Sequence, residues 1–77
     1  MKIKLKFFGI ISDITGTEEL ICAEAYDTDN LAGEYKIKYP EINNLSYRIA
    51  VNHMIINSNT RLNDGDEVAF LPPFSGG

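Results

Sequence analysis

The sequence is short of the residues that disulfide-dependent and metal-binding proteins need. It has 77 residues with one cysteine, Cys22, and one histidine, His53. Cys22 has no second cysteine with which to form an internal disulfide, so the fold does not depend on an oxidising compartment. A zinc site takes three or four cysteine, histidine or carboxylate ligands. We therefore expect no metal site, a buried packing role for Cys22 and an exposed turn position for His53.

Positive charge and long apolar runs are also scarce. Acidic residues number 11 against 7 basic ones, which gives a formal net charge of −4. Such a domain lacks the basic stripe that binding to a nucleic-acid backbone requires, and it better suits a partner protein with a basic surface. The apolar stretch at residues 7–11 is too short for a signal peptide or a membrane span. We expect a cytoplasmic protein that binds neither nucleic acid nor membranes.

The pattern along the chain predicts a small mixed sheet. Residues 2–8 alternate polar and apolar side chains as a half-buried strand does, with Ile3, Leu5 and Phe7 facing the core and Phe8 the other side. Asp64-Gly65 is typical of a turn before the last strand. The predicted strands share β-forming or alternating side chains and cover residues 2–8, 18–23, 47–52, 53–57 and 67–71.

One main helix is predicted within residues 26–40. Asp27 or Thr28 can cap its start and Pro40 ends it. Gly33 in its interior costs about 1 kcal/mol relative to alanine, so packing on the sheet must stabilise the helix. Residues 10–16 are consistent with either a short helix or an irregular loop. With one main helix, only one face of the sheet can be covered.

The chain closes on FLPPFSGG, residues 70–77. Pro72 and Pro73 fix φ and remove two backbone donors, so the last strand stops and the chain continues in an extended form. Gly76 and Gly77 have no Cβ and can pass through a channel too narrow for other residues. We therefore predict a folded domain in residues 1–71 and a flexible arm in residues 72–77 that reaches at most about 20 Å.

Four segments resemble, in order along the chain, the family of small, sulfur-carrying subunits of molybdopterin synthase. The most specific is DGDEVAFLPPFSGG, residues 64–77. The other three are KIKLKFFGIISDITG, IAVN and TRLNDGDEV. Proteins of this family have an α+β, ubiquitin-like β-grasp fold. The resemblance therefore implies a small mixed sheet packed on one main helix, in agreement with the strand pattern.

The resemblance also implies a chemistry centred on Gly77. A ubiquitin-activating-type enzyme uses ATP to adenylate the terminal carboxylate, and sulfur then displaces AMP to leave a thiocarboxylate. This sulfur is donated to a pterin precursor to build the dithiolene of molybdopterin. The carrier itself binds no cofactor and is a non-catalytic subunit. Its partners are the adenylating enzyme and the large catalytic subunit, with which it is expected to form a heterotetramer.

Partner-contacting side chains are expected in the arm and on the uncovered face of the sheet. Any side chain at the two terminal glycines should block threading or adenylation, and the two prolines reduce the ordering entropy lost on insertion. Exposed apolar residues on the open face would form a patch typical of an interface. The candidate site residues are Gly77 and Gly76 for the chemistry, and Phe74, Ser75, Pro72, Pro73, Phe70, Leu71 and Phe8 for partner binding.

Three other functions share parts of this pattern. A thiamine-pathway sulfur carrier has the same fold and glycine pair, but its members usually lack the Pro-Pro-aromatic-Ser spacer before the glycines. A ubiquitin-like modifier would join the same terminus to lysines. A β-grasp interaction domain would show no ATP-dependent change at its terminus. The LPPFSGG ending favours the molybdopterin carrier.

We predict that deletion of Gly77 abolishes sulfur transfer while the fold survives, because the terminal carboxylate, now on Gly76, ends about 3.4 Å short of its reacting position and no core residue is touched. Product formation with an activating enzyme and a sulfur source, measured beside a circular dichroism spectrum, tests this. Wild-type-like product formation by the shortened chain would refute it.

Overall fold

A five-stranded mixed sheet forms the centre of the structure, a computed structural model that describes residues 2–22 and 25–73. The strand order is β2-β1-β5-β3-β4, with β1 and β5 parallel and the other neighbours antiparallel. The elements in chain order are β1 (Ile3–Phe7), α1 (Gly9–Thr15), β2 (Glu19–Cys22), α2 (Thr28–Lys38), a 3₁₀ helix (Pro40–Asn44), β3 (Arg48–Val51), β4 (Met54–Ile55) and β5 (Glu67–Leu71).

Each predicted strand is present, usually one or two residues shorter at its ends. The segment that allowed either a short helix or a loop forms α1, and Gly16 ends it in the left-handed conformation, with φ of 77°. Pro40 ends α2 as predicted but also opens the 3₁₀ helix, since its fixed φ suits a first helical position. In the described ranges, neither helix has the length and apolar character needed to cross a bilayer.

The core lies between one face of the sheet and the two α-helices. Alternation in β1 buries Ile3, Leu5 and Phe7, as predicted, and leaves Lys4 exposed. The rings of Phe7 and Phe70 lie 5.5 Å apart, and Tyr35 from α2 approaches both. The other buried apolar side chains are Ile11, Ala25, Leu31, Ala32, Ile42, Leu62 and Val68, and Ala50 is buried on the opposite face of the sheet.

Helix α2 is stabilised by hydrogen bonds at its first turn and by a narrow apolar stripe that packs in the core. Leu31 and Tyr35 are buried, whereas Ile37 is 83 % exposed, so the stripe is short. Asp27 caps the helix, as predicted, by accepting a hydrogen bond from the backbone N–H of Asn30 at 2.8 Å. The backbone N–H of Asp29 donates to Asn59 Oδ1 at 2.9 Å. The helix start is therefore tied to the distant loop before β5.

The cap also lowers the pKa of Asp27 below its ordinary value of 3.8. The main cause is the hydrogen bond from the backbone of Asn30, followed by one from the side chain of Asn59. The positive charge of Arg61 acts in the same direction, against the opposing effect of burial. Because the folded state holds its proton less tightly than the unfolded state, the cap stabilises the fold above pH 3.8.

We predict that Asp27→Ala lowers the free energy of unfolding at neutral pH, and that the deficit relative to wild type shrinks as the pH falls through the lowered folded-state pKa. Urea unfolding of both proteins at a series of pH values measures this. Asp29→Ala is the control, because Asp29 lies in the same turn but accepts no capping hydrogen bond. An equal, pH-independent loss in both variants would contradict the capping role.

Candidate functional site: the open sheet face and the arm root

The register of β5 decides which side chains face away from the helices. Val68 and Phe70 are fully buried, so Glu67, Ala69 and Leu71 point to the opposite side. We call this side the open face. Residues that pair directly across two strands lie on the same face of the sheet. The strand register therefore identifies which residues of β1, β2, β3 and β4 also lie on the open face. The open face comprises Glu19, Ile21, Lys4, Lys6, Glu67, Ala69, Leu71, Arg48, Ala50 and Ile55.

One half of the open face is charged. Lys4 Nζ lies 3.3 Å from Glu19 Oε1, and Lys6 Nζ lies 3.9 Å from Glu67 Oε1. His53 Nε2 approaches the other oxygen of Glu67 at 3.6 Å. Exposed pairs of this kind contribute roughly 0–1 kcal/mol each to stability. Their main effect is to place alternating charges across β2, β1 and β5.

The other half of the open face is apolar. Ala50 of β3 pairs directly with Ala69 of β5; Ala50 is buried and Ala69 is half-buried. Ile55, which is 51 % exposed, lies on one side of this pair, and Leu71 lies further along β5 towards its end. We call these four residues the apolar strip. Arg48 lies beside Leu71 and donates from Nη2 to Asn57 Oδ1 at 2.6 Å.

The chain leaves the sheet at one end of the apolar strip. Pro72 follows β5 directly and is half-buried, whereas Pro73 is exposed. Pro72 lies against the first residue of α1: a Cβ placed on Gly9 would be 3.1 Å from Pro72 Cγ. Phe8, immediately before Gly9, is 45 % exposed. We call Phe8, Gly9, Leu71 and Pro72 the arm root.

The predicted site residues divide into three groups. Phe8 and Leu71 reach the surface at the arm root, as does Pro72, with Pro73 just beyond. Phe70 is a wrong choice for a partner contact, because it is 0 % exposed. Its side chain belongs to the core parity of β5, where it also lies 5.7 Å from the ring of Tyr47. The remaining candidates, Phe74, Ser75, Gly76 and Gly77, lie outside the described residues.

Sequence reasoning missed part of this surface. Ala50 and Ala69 are too small to mark an interface by composition, and the position of Ile55 depends on the pairing of a two-residue strand. The segment EVAFL is apolar on both of its parities after Glu67. The alternation in β1 could have identified the buried side of β5, because Leu5 and Phe7 pair with Val68 and Phe70. Using it requires knowing that β1 and β5 are parallel neighbours.

The single cysteine and the single histidine lie at positions where they have a role in packing or in a turn. Cys22 is half-buried in β2 and packs against the core, which agrees with its predicted packing role. His53 is an exposed residue of the β3–β4 turn, as predicted, with φ of 71°. Within residues 2–22 and 25–73, no cluster of three or more histidine, cysteine or carboxylate side chains could hold a metal ion.

Known proteins are similar to this chain in both sequence and fold. A molybdopterin synthase sulfur carrier subunit of Mycobacterium tuberculosis is 37 % identical over 100 % of this chain and 99 % of its own length. A structure of the complex of subunits 1 and 2 of the Helicobacter pylori molybdopterin-converting factor includes a chain that matches with a TM-score of 0.73 and 30 % identity, over 100 % of both chains.

A second solved structure, the small archaeal modifier protein 1 of Methanosarcina acetivorans, matches with a TM-score of 0.82 and 25 % identity, over 99 % of this chain and 96 % of that one. These likenesses confirm that the fold is a ubiquitin-like β-grasp, as the sequence resemblance implied. The sequence profile of the ThiS family matches residues 5–77. The chain belongs to the ThiS family.

Neighbouring residues of β5 allow a direct test of which side chains belong to the core. We predict that Phe70→Ala costs about 3–5 kcal/mol of stability, because it removes a fully buried ring. Leu71→Ala should cost about 1 kcal/mol or less, since Leu71 lies half-exposed on the open face. Denaturant unfolding of both variants measures the difference. Equal losses would show that our assignment of the two faces is wrong.

Proposed function

We propose that this chain is the sulfur carrier subunit of a molybdopterin synthase, with Gly77 as the residue that carries sulfur. The observation that carries the proposal is the ending LPPFSGG, whose first residue, Leu71, lies on the open face at the end of the apolar strip. The likeness to a molybdopterin synthase sulfur carrier subunit along nearly the full length of both chains supports it. On this proposal the chain is not an enzyme on its own.

The proposed chemistry follows from the poor reactivity of a carboxylate. Oxide is not a viable leaving group, so the terminal carboxylate of Gly77 must first attack the α-phosphate of ATP, releasing pyrophosphate. The outer sulfur of an enzyme persulfide then attacks the acyl carbon of the adenylate and AMP leaves, which gives an acyl disulfide. A thiol of the sulfur-donating enzyme then attacks the inner sulfur of this disulfide, so that a new disulfide forms and the thiocarboxylate leaves. The resulting thiocarboxylate is ionised at neutral pH and is a ready nucleophile. After it donates sulfur to the pterin precursor, hydrolysis restores the carboxylate.

In this scheme, the folded domain docks on the partner protein and the arm carries the reacting carboxylate of Gly77 to the partner's site. The apolar strip offers a contact area that ends at the arm root, so a partner that covers the strip lies beside the point where the arm starts. Six residues, Pro72 to Gly77, extend at most about 20 Å, which carries the reacting carboxylate away from the docked domain. Of the described residues, Phe8, Leu71 and Pro72 are our proposed contacts closest to that path.

The proposed partners are two enzymes that would use the carrier in turn. The large catalytic subunit of molybdopterin synthase would hold the pterin precursor, and the structure of the Helicobacter pylori complex of subunits 1 and 2 supports such a pairing. We propose a heterotetramer for this assembly. A ubiquitin-activating-type enzyme would consume the ATP, so the carrier itself needs no bound cofactor. Both encounters are proposed to take place in the cytoplasm.

Protein modification is a second candidate function, favoured by one observation. The structure matches a small archaeal modifier protein with a TM-score of 0.82. Activation of Gly77 would be the same, but a lysine ε-amine instead of sulfur would attack the adenylate or a thioester derived from it. The product would be an isopeptide between Gly77 and another protein.

We predict that incubation with an activating enzyme of this type, ATP and a sulfide source raises the intact mass by the difference between sulfur and oxygen, localised to Gly77. Mass spectrometry of the whole chain and of its C-terminal peptide measures this. The chain lacking Gly77 is the control, since its terminal carboxylate, now on Gly76, ends one residue short of the position that is activated. No mass gain with a competent enzyme would contradict the carrier function.

Further components added to the same reaction distinguish a molybdopterin carrier from a thiamine-pathway carrier and from a protein modifier. Added large subunit and pterin precursor should return the chain to its original mass while molybdopterin forms. Loss of the added sulfur only in a thiazole-forming system would instead identify a thiamine-pathway carrier. Isopeptide-linked peptides ending in the Gly77 carbonyl would identify a modifier.

A further inference from the structure

We propose that Gly9 is a positioning residue for the arm. Because Gly9 has no side chain, Pro72 lies directly against the start of α1, and this contact sets the direction in which the chain leaves the domain. The inference rests on the proposed function, since the direction of the arm matters only if Gly77 must enter a partner's site. Nothing in the motif at the end of the chain points to residue 9.

The contact between Gly9 and Pro72 is closer than most contacts that a Cβ atom makes, so a side chain at residue 9 requires a neighbour to move by a few tenths of an ångström. A Cβ built on Gly9 would lie 3.1 Å from Pro72 Cγ and 3.8 Å from Pro72 Cβ. Carbon atoms attract each other best at about 3.5–4.0 Å, so the first of these separations is repulsive. Any residue other than glycine must push the proline ring away or move the start of α1.

The surface beneath Pro72 is held in place. Ser12 Oγ donates to the carbonyl oxygen of Gly9 at 2.7 Å, and the backbone N–H of Ile11 donates to the carbonyl oxygen of Phe8 at 3.0 Å. The side chain of Ile11 is fully buried in the core, which anchors the helix to the sheet. Pro72 therefore rests on a fixed part of the backbone.

The chain above the contact is equally restricted. Phe70 pairs with Phe7 of β1 and with Ile49 of β3, and Leu71, the last residue of β5, pairs with Arg48 of β3. The proline ring then restricts φ of Pro72. The first residue of the arm, Pro72, is therefore positioned by the end of β5 and by its contact with Gly9.

The other described glycines with positive φ supply matched controls. Gly16 has φ of 77° and Gly65 has φ of 88°, and nothing lies within 4 Å of a Cβ built on either. Gly9 has φ of 53°, in the same left-handed region. Gly9 and Gly16 lie at opposite ends of α1, and a side chain at either position causes similar backbone strain. Only a side chain at Gly9 would also contact the arm, at Pro72.

The experiment compares Gly9→Val with Gly16→Val in steady-state sulfur loading by the activating enzyme. Gly9→Val should raise the KM for the carrier about tenfold, because the arm must be redirected before it can enter, and a small misplacement costs that much or more. The kcat should stay close to that of wild type, since the seated arm reacts as before. Gly16→Val should leave both constants near wild type, at matched thermal stability.

A rescue experiment separates positioning from general damage. Pro72→Ala removes the Cγ atom that Gly9 approaches, so the Gly9→Val/Pro72→Ala protein should load no worse than Pro72→Ala alone. Equal KM values for the Gly9→Val and Gly16→Val proteins, or fully additive losses in the double variant, would overturn the proposal.

An NMR measurement keeps this inference distinct from the proposed function. Wild type should show an NOE between the Hα protons of Gly9 and the ring protons of Pro72, and Gly9→Val should shift the resonances of the arm where Gly16→Val does not. If wild type takes up no sulfur, the carrier function fails and the NMR result alone decides the orientation. Absence of the NOE, or identical arm resonances in both variants, would overturn the inference.

Discussion

The parallel pairing of β1 with β5 is the constraint on which the other features depend. It joins the first strand of the chain to the last and aligns Phe7 with Phe70, so both strands end at the same edge of the sheet. The residues that follow each strand must then meet at that edge. Gly9 follows β1 and Pro72 follows β5, and their contact is a direct consequence of this alignment. The strand that leads into Pro72 is thus paired with a neighbour on each side.

The same pairing divides the side chains of β5 between the core and the open face. Because β1 buries Leu5 and Phe7, its parallel neighbour must bury Val68 and Phe70 beside them. The alternate residues, Ala69 among them, are left facing outward. One strand thus supplies core side chains on one face and the apolar strip on the other, and it ends in the arm. A change that shifted its register by one residue would exchange the two sets.

Local patterns in the sequence predict the elements well and the site only partly. Alternation in β1 is a local signal and was predicted correctly, and Asp27 is one of the two capping residues, with Thr28, that the sequence offered. The two faces of EVAFL could not be distinguished, because Val and Phe on one parity and Ala and Leu on the other are all apolar. The choice of Phe70 as a surface residue failed for this reason. The role of Gly9 is also invisible locally, since it depends on a strand about 60 residues further along the chain, beyond the reach of any local periodicity.

The distribution of charge changes the partner surface that the sequence alone indicates. A net charge of −4 favours a basic partner, yet the open face carries Lys4, Lys6 and Arg48 against Glu19 and Glu67. Its lysines already lie close to these carboxylates, so a partner gains little from adding opposite charge there and must desolvate existing pairs. The apolar strip has no such cost. Binding energy should therefore come from the strip, while the surrounding charges set orientation and the acidic remainder of the surface affects only the long-range approach.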